Sequence, residues 1–107
     1  MITELQAENA CLYLRDSADA YAKARGHEKF CDANLRRVKS MAMIGKEGTI
    51  AMLEAAAYAS EEYLQAMKDL QNAEYEVERL KALREASVFA IEMFRSTNSA
   101  RKQGVNL

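Results

Sequence analysis

The sequence predicts an all-α protein: a long, coiled-coil-like antiparallel helical hairpin. Three observations predict this fold class. The chain has no proline and only four glycines. It is rich in the helix-forming residues Ala, Glu, Leu, Lys and Arg. Its apolar residues recur at helical spacings rather than alternating as in a strand. With 107 residues, the chain fits one helical domain over residues 1–107.

A first helix is predicted over about residues 3–43. In the stretch TELQ, Thr3 and Gln6 can each accept from the other's backbone amide, which is the capping-box pattern. An apolar stripe continues past Gly26 if one stutter is allowed. A break at Gly26 is the alternative, and it would give a three-helix arrangement. The stripe consists of Ala10, Tyr13, Ser17, Ala20, Ala24, His27, Cys31, Leu35, Val38 and Ala42.

The stretch GKEGT predicts a turn at 45–48, because glycine adopts positive φ at little cost. Thr49 is then a candidate N-cap for a second helix over about 49–95. The polar run STNSARKQG begins at residue 96 and predicts a flexible basic tail over 96–107.

A heptad seam on the second helix predicts a close helix pair with a left-handed supercoil. Alanines seven residues apart would let the backbones approach, and larger residues would fill the space between them. Arg84 interrupts the apolar seam, so we expect it either to extend into solvent or to pair with an acid and fix the register. The seam consists of Met52, Ala56, Ala59, Tyr63, Ala66, Leu70, Ala73, Val77, Leu80, Arg84, Ser87, Ile91 and Phe94.

Apolar residues outside the two stripes predict self-association, because two helices alone cannot cover so wide an apolar surface. A homodimer that forms a four-helix bundle is the simplest closed arrangement. The alternative is that the Met and Tyr residues belong only to the core. The candidate contacts with another copy or with a protein partner are Leu53, Leu64, Met67, Leu12 and Tyr21.

The residues that could support catalysis form no recognisable active-site pattern. His27 is the one histidine and lies four residues before Cys31, but two ligands do not make a metal site. The sequence shows neither a glycine-rich phosphate loop nor a nucleophile motif. We therefore predict a protein that is not an enzyme and uses no cofactor or metal.

Basic residues suggest an alternative function in nucleic-acid binding, although the net charge of −1 gives no overall attraction to phosphate. The other explanation is that these bases face the acidic second helix. Nucleic acid is therefore a possible partner that the sequence does not favour. The candidate contacts are Lys29, Arg36, Arg37, Lys39, Lys46, Arg101 and Lys102.

The sequence also bears on localisation. The N-terminal stretch MITELQAENACLYL has neither the basic flank nor the apolar core of a signal peptide. No apolar run approaches the roughly 20 residues that span a bilayer. We therefore expect a cytoplasmic protein that does not bind membranes.

The stretches EAAAYASEEY and FRSTNSARK, with the Ala-rich helix between them, resemble small helical-hairpin accessory proteins of temperate bacteriophages. The resemblance covers roughly the C-terminal half and carries over no catalytic residue. It implies a phage or prophage protein, in the bacterial host cytoplasm, that binds and modulates a bacterial or phage protein. The predicted function is thus a protein-interaction module, with nucleic-acid binding as the alternative.

Overall fold

The structure, a computed structural model, describes the backbone of residues 1–106 and the side chains of residues 1–104. This part of the chain forms three helices, α1 (Glu4–Met43), α2 (Ile50–Tyr58) and α3 (Glu61–Asn106), and contains no strand. The all-α prediction is therefore confirmed. Contacts divide the chain into two compact units. Unit 1 combines Met1–Tyr21 with the chain from Glu78 onward, and unit 2 is Ala22–Val77.

The capping box at the start of α1 is formed. The Thr3 backbone N–H donates to Gln6 Oε1 at 2.9 Å, and the Gln6 backbone N–H donates to Thr3 Oγ1 at 3.1 Å. These bonds satisfy amides that have no partner inside the helix. From there α1 continues through Gly26 without a break. Gly26 is exposed, and a Cβ built on it would meet no atom within 4 Å.

Replacing Gly26 with Ala is expected to stabilise the protein by about 0.5–1 kcal/mol. Gly26 does not have positive φ, so alanine fits its backbone conformation and reduces the entropy of the unfolded chain. Urea unfolding at fixed protein concentration measures the change. Ser40→Ala, at another exposed position of α1, is the control and should change stability by less. A destabilised Gly26→Ala variant would show that the glycine is needed.

The buried stripe of α1 keeps a strict heptad period and needs no stutter. Ala20 and His27 were placed on the stripe but are exposed, whereas Tyr21 and Glu28 are half-buried. That part of the prediction is wrong. Glu28 continues the stripe although it is charged, so a pattern built from apolar residues does not include it. A long charged side chain can bury its methylene groups while its carboxylate reaches water. The stripe consists of Ala7, Ala10, Leu14, Ser17, Tyr21, Ala24, Glu28, Cys31, Leu35, Val38 and Ala42.

The turn between α1 and α2 uses two glycines with positive φ, 74° at Gly45 and 140° at Gly48. Other residues rarely adopt these values, which explains the spacing in GKEGT. Thr49 then caps α2, since its Oγ1 accepts from the Met52 backbone N–H at 3.2 Å. The predicted turn and cap are both present.

A break between α2 and α3 replaces the predicted uninterrupted second helix. The Ser60 hydroxyl donates to the Ala57 carbonyl oxygen at 2.6 Å and accepts from the Tyr63 backbone N–H at 3.2 Å. Ser60 therefore closes one helix and caps the next. The acids that follow it, Glu61 and Glu62, also favour a helix N-terminus.

The break shifts the seam by one residue, so the seam prediction is wrong before Ser60 and right after it. In α2 the apolar residues protected from solvent are Leu53 and Ala57, whereas Met52, Ala56 and Ala59 are exposed. After the break, every predicted seam residue from Tyr63 to Phe94 is buried or half-buried. Ala66 and Ala73 are among the buried residues of the whole chain.

The C-terminal segment also differs from the prediction, because α3 continues to Asn106 where a flexible tail from residue 96 was expected. The polar side chains do not stop the helix. The Thr97 hydroxyl donates to the Met93 carbonyl oxygen at 3.0 Å, so this polar side chain has a hydrogen-bond partner within its own helix. No proline is present to end the segment.

Candidate functional site

Arg84 joins the two helices of unit 1. Its Nη1 donates to the Leu14 carbonyl oxygen at 2.8 Å and to Ser17 Oγ at 2.7 Å. Its guanidinium carbon lies 5.2 Å from the centre of the Tyr21 ring. Arg84 therefore contacts the facing helix and does not extend into solvent. Its partners are a carbonyl, a hydroxyl and an aromatic ring, whereas the prediction was an acid. These contacts hold α3 against one turn of α1.

The two helices of unit 1 are antiparallel. Near the other end of the unit, Arg101 Nη2 lies 3.1 Å from the Met1 sulfur. Moving forward along α3 from Arg84 to Arg101 thus means moving backward along α1 from Leu14 and on to Met1, which precedes the helix. This arrangement brings the N-terminal turns of α1 beside the C-terminal turns of α3.

An open groove of about 550 Å³ lies between the helices of unit 1. Its apolar surface comes from both helices and includes the exposed residues Cys11 and Leu12. The two helices contribute charges of opposite sign to the groove: the acids lie on α1 and the one base, Arg95, lies on α3. Such a groove suits an apolar helix face with charges at its edges. The groove is lined by Glu4, Ala7, Glu8, Cys11, Leu12, Ile91, Phe94 and Arg95.

In unit 2, Lys39 links α1 to α2. Its Nζ lies 3.6 Å from Glu54 Oε1 and 4.8 Å from the centre of the Tyr58 ring. Hydrogen bonding with Tyr58 raises the pKa of Lys39, and the Glu54 carboxylate adds to the rise against an opposing effect of burial. Tyr58 also meets Tyr63 edge to face at 5.1 Å between ring centres. Lys39 therefore contributes to packing and stays charged.

The predicted contact residues fall into two groups. Leu53 and Tyr21 are half-buried inside their own units, with Tyr21 beneath Arg84. Leu12, Leu64 and Met67 are exposed. Of these three, Leu12 lines the groove of unit 1. The exposed group leaves between 40% and 50% of each residue's surface accessible to solvent, and its role in binding stays a prediction.

Most of the predicted nucleic-acid contacts in unit 2 lie near acidic side chains. Arg36 Nη2 lies 2.7 Å from Asp32 Oδ2, and the Lys39 ammonium contacts Glu54 and the Tyr58 ring. Arg37 and Lys46 line a hollow of about 390 Å³ in unit 2, to which Glu62 adds an acid. The remaining candidates, Lys29, Arg101 and Lys102, are exposed.

His27 and Cys31 are close but form no larger site. Cys31 Sγ lies 3.6 Å from His27 Nε2. Burial raises the pKa of the Cys31 thiol, and the Asp69 carboxylate raises it further. The thiol therefore stays protonated at neutral pH, which makes it a poor nucleophile and a poor ligand. Among the described residues, no group of three or more His, Cys, Asp or Glu could hold a metal ion.

The helices of residues 1–106 include none with the length and apolar character of a membrane span. Comparisons with protein-family models, with curated proteins and with solved structures find no match to this chain.

Proposed function

We propose that this chain is a protein-interaction module without enzymatic activity, which binds an amphipathic helix of a partner protein in the groove of unit 1. One observation supports the proposal most: apolar residues of two antiparallel helices line an open groove. Its acids lie on α1 and its base on α3, so the groove also has a preferred orientation for a partner with charges at both edges.

The sequence resemblance supports a bacterial context. We propose a phage or prophage accessory protein that acts in the host cytoplasm by modulating a bacterial or phage protein. The chain further self-associates, and a homodimer in which two helix pairs form a coiled-coil-like four-helix bundle would cover exposed large apolar residues of unit 1 such as Leu83 and Met93.

Affinity capture from the bacterial host tests the binding proposal with a matched pair of variants. Leu12, in the groove, is 45% exposed, and Leu64, outside it, is 50% exposed. Leu12→Glu should lose the protein that the wild type captures, because a bound helix would bury the added carboxylate among apolar side chains and beside Glu8. Leu64→Glu should retain it, and both variants should keep the helical circular dichroism signal. Retention by Leu12→Glu would reject the groove as the binding site.

Nucleic-acid binding is the second candidate, supported by the exposed bases Lys29, Arg101 and Lys102. Contacts with several phosphates make binding weaken steeply as salt rises. A mobility shift with duplex DNA in a salt series distinguishes the two functions. A steep loss of binding that Arg101→Ala and Lys102→Ala flatten would favour nucleic acid over the groove proposal.

A further inference from the structure

An uncharged stripe runs along α3 on a side of unit 1 other than the groove. Two heptad positions there, with spacings of three and four, hold only apolar residues and one threonine. Thr97 is half-buried, and its hydroxyl donates to a carbonyl of its own helix. Phe89, an exposed large residue, lies beside the stripe. The outer stripe, as we name it, consists of Leu83, Ala86, Ala90, Met93, Thr97 and Ala100.

The lack of charge begins at one point on α3. In the earlier turns, within unit 2 and at the start of unit 1, the same two heptad positions hold Glu62, Asp69, Glu76 and Arg79. Beyond Arg79 they hold no ionisable group as far as Ala100. Helix faces that contact only water usually carry charged residues. A face that loses its charged residues partway along a helix is therefore typical of a contact surface.

We propose that the outer stripe binds the outer stripe of a second copy of this chain, antiparallel, about a two-fold axis between Ala90 and Met93. This inference rests on the self-association in the proposed function and gives it a surface. The sizes of the residues support it. In this register Met93 lies opposite the second copy's Ala90, and Leu83 lies opposite its Ala100. Each large residue thus meets a small one, and each pair occurs twice about the axis, as in an isologous contact.

The absence of charge also favours a second copy over a different partner. A face with no charge makes no specific electrostatic pairing with a charged surface, but it meets itself without like-charge repulsion. Glu85 and Glu92 occupy other heptad positions, so they are not among the paired residues. Association would cover exposed apolar atoms of Leu83 and Met93 and leave no buried charge.

Sedimentation equilibrium of the purified chain tests this surface with another matched pair. The wild type should have the mass of two 12.0 kDa chains. Met93 is 43% exposed and Met67, outside the stripe, is 40% exposed. Met93→Glu should raise the dimer dissociation constant by about 100-fold or more, since it places two carboxylates near the axis. Met67→Glu should leave it within about threefold, as for a surface change.

Mixing tests the register. Met93→Glu and Ala90→Lys should each be monomeric alone, with unchanged circular dichroism, and should form a dimer together, because one Glu then meets one Lys. A mixture that stays monomeric would reject the register. Dissociation by Met67→Glu but not by Met93→Glu would reject this surface and leave self-association intact. A monomeric wild type would reject both the outer-stripe surface and self-association. Binding of a partner in the groove is tested separately by affinity capture, so its outcome does not depend on this one.

Discussion

Replacing Ala66 with Leu should destabilise the protein by about 1–3 kcal/mol. Ala66 is only 3% exposed and lies on the α3 seam. Three added carbon atoms have no room there, and overpacking of this kind forces side-chain and backbone shifts. Leucine and alanine differ by only a few tenths of a kcal/mol in helix propensity, so packing should account for most of the loss. Urea unfolding at fixed protein concentration measures the change, since the stability of an oligomer depends on concentration.

Ala82→Leu is the control for this substitution. Ala82 is exposed on the same helix, so the change should stay within about 0.5 kcal/mol. If Ala66→Leu were neutral while Ala82→Leu was harmful, the seam would be misassigned. The small residues of α3 would then have a reason other than close helix packing.

Arg84→Ala should cost about 2–3 kcal/mol of unfolding free energy. The substitution removes both hydrogen bonds from Nη1 and the contact with the Tyr21 ring. It also leaves the buried Ser17 hydroxyl without this donor. Hydrogen bonds to a charged group contribute about 1.5–3 kcal/mol, and a buried group left unpaired adds its desolvation cost. Thermal and urea unfolding both report the loss.

A double-mutant cycle separates the pairing from general packing. Ser17→Ala removes the acceptor, so combining it with Arg84→Ala should cost less than the sum of the two single changes. Arg95→Ala, at an exposed position of the same helix and unit, is the control and should have little effect on stability. Strictly additive single changes would mean that Arg84 does not act through Ser17.

Features determined by a few neighbouring residues could be predicted from the sequence. The Thr3–Gln6 capping box, the paired glycines of the turn and the Thr49 cap each depend on residues within one helical turn. The seam from Tyr63 to Phe94 could also be predicted, because its spacing is regular over several heptads. In each case local chemistry and the helical period specify the same structure.

Features that depend on competing signals could not be predicted. A strict three-and-four alternation can be drawn straight through Ser60, so the apolar period predicts one uninterrupted helix where the structure has two. In α1, the spacing of Ala20 and His27 fits the predicted stripe, but the half-buried residues are Tyr21 and Glu28. The polar composition of residues 96–107 predicts a flexible tail, although Ser, Thr and Asn disfavour a helix interior only mildly.

The candidate site depends on tertiary contacts to a greater extent. Leu12 was predicted as a contact residue because it lies off the stripe, but Ile91 and Phe94 were assigned to the seam alone. The groove arises because two antiparallel helices bring Glu8 and Arg95 to opposite edges, a pairing that no local pattern encodes. The outer stripe, in contrast, leaves a signal in the sequence: two heptad positions of α3 lose their charges after Arg79.

The short helix α2 has a consequence for how the protein opens. It has nine residues, of which only Ala57 is fully buried, and it lies between the glycine turn and the Ser60 break. Isolated helices of that length are marginal in water. Its order therefore depends on a few contacts, including Lys39 with Glu54 and Tyr58. We therefore expect residues 44–60 to open as a local unfolding unit, with amides that exchange with solvent at a lower free energy than those of α1 and α3.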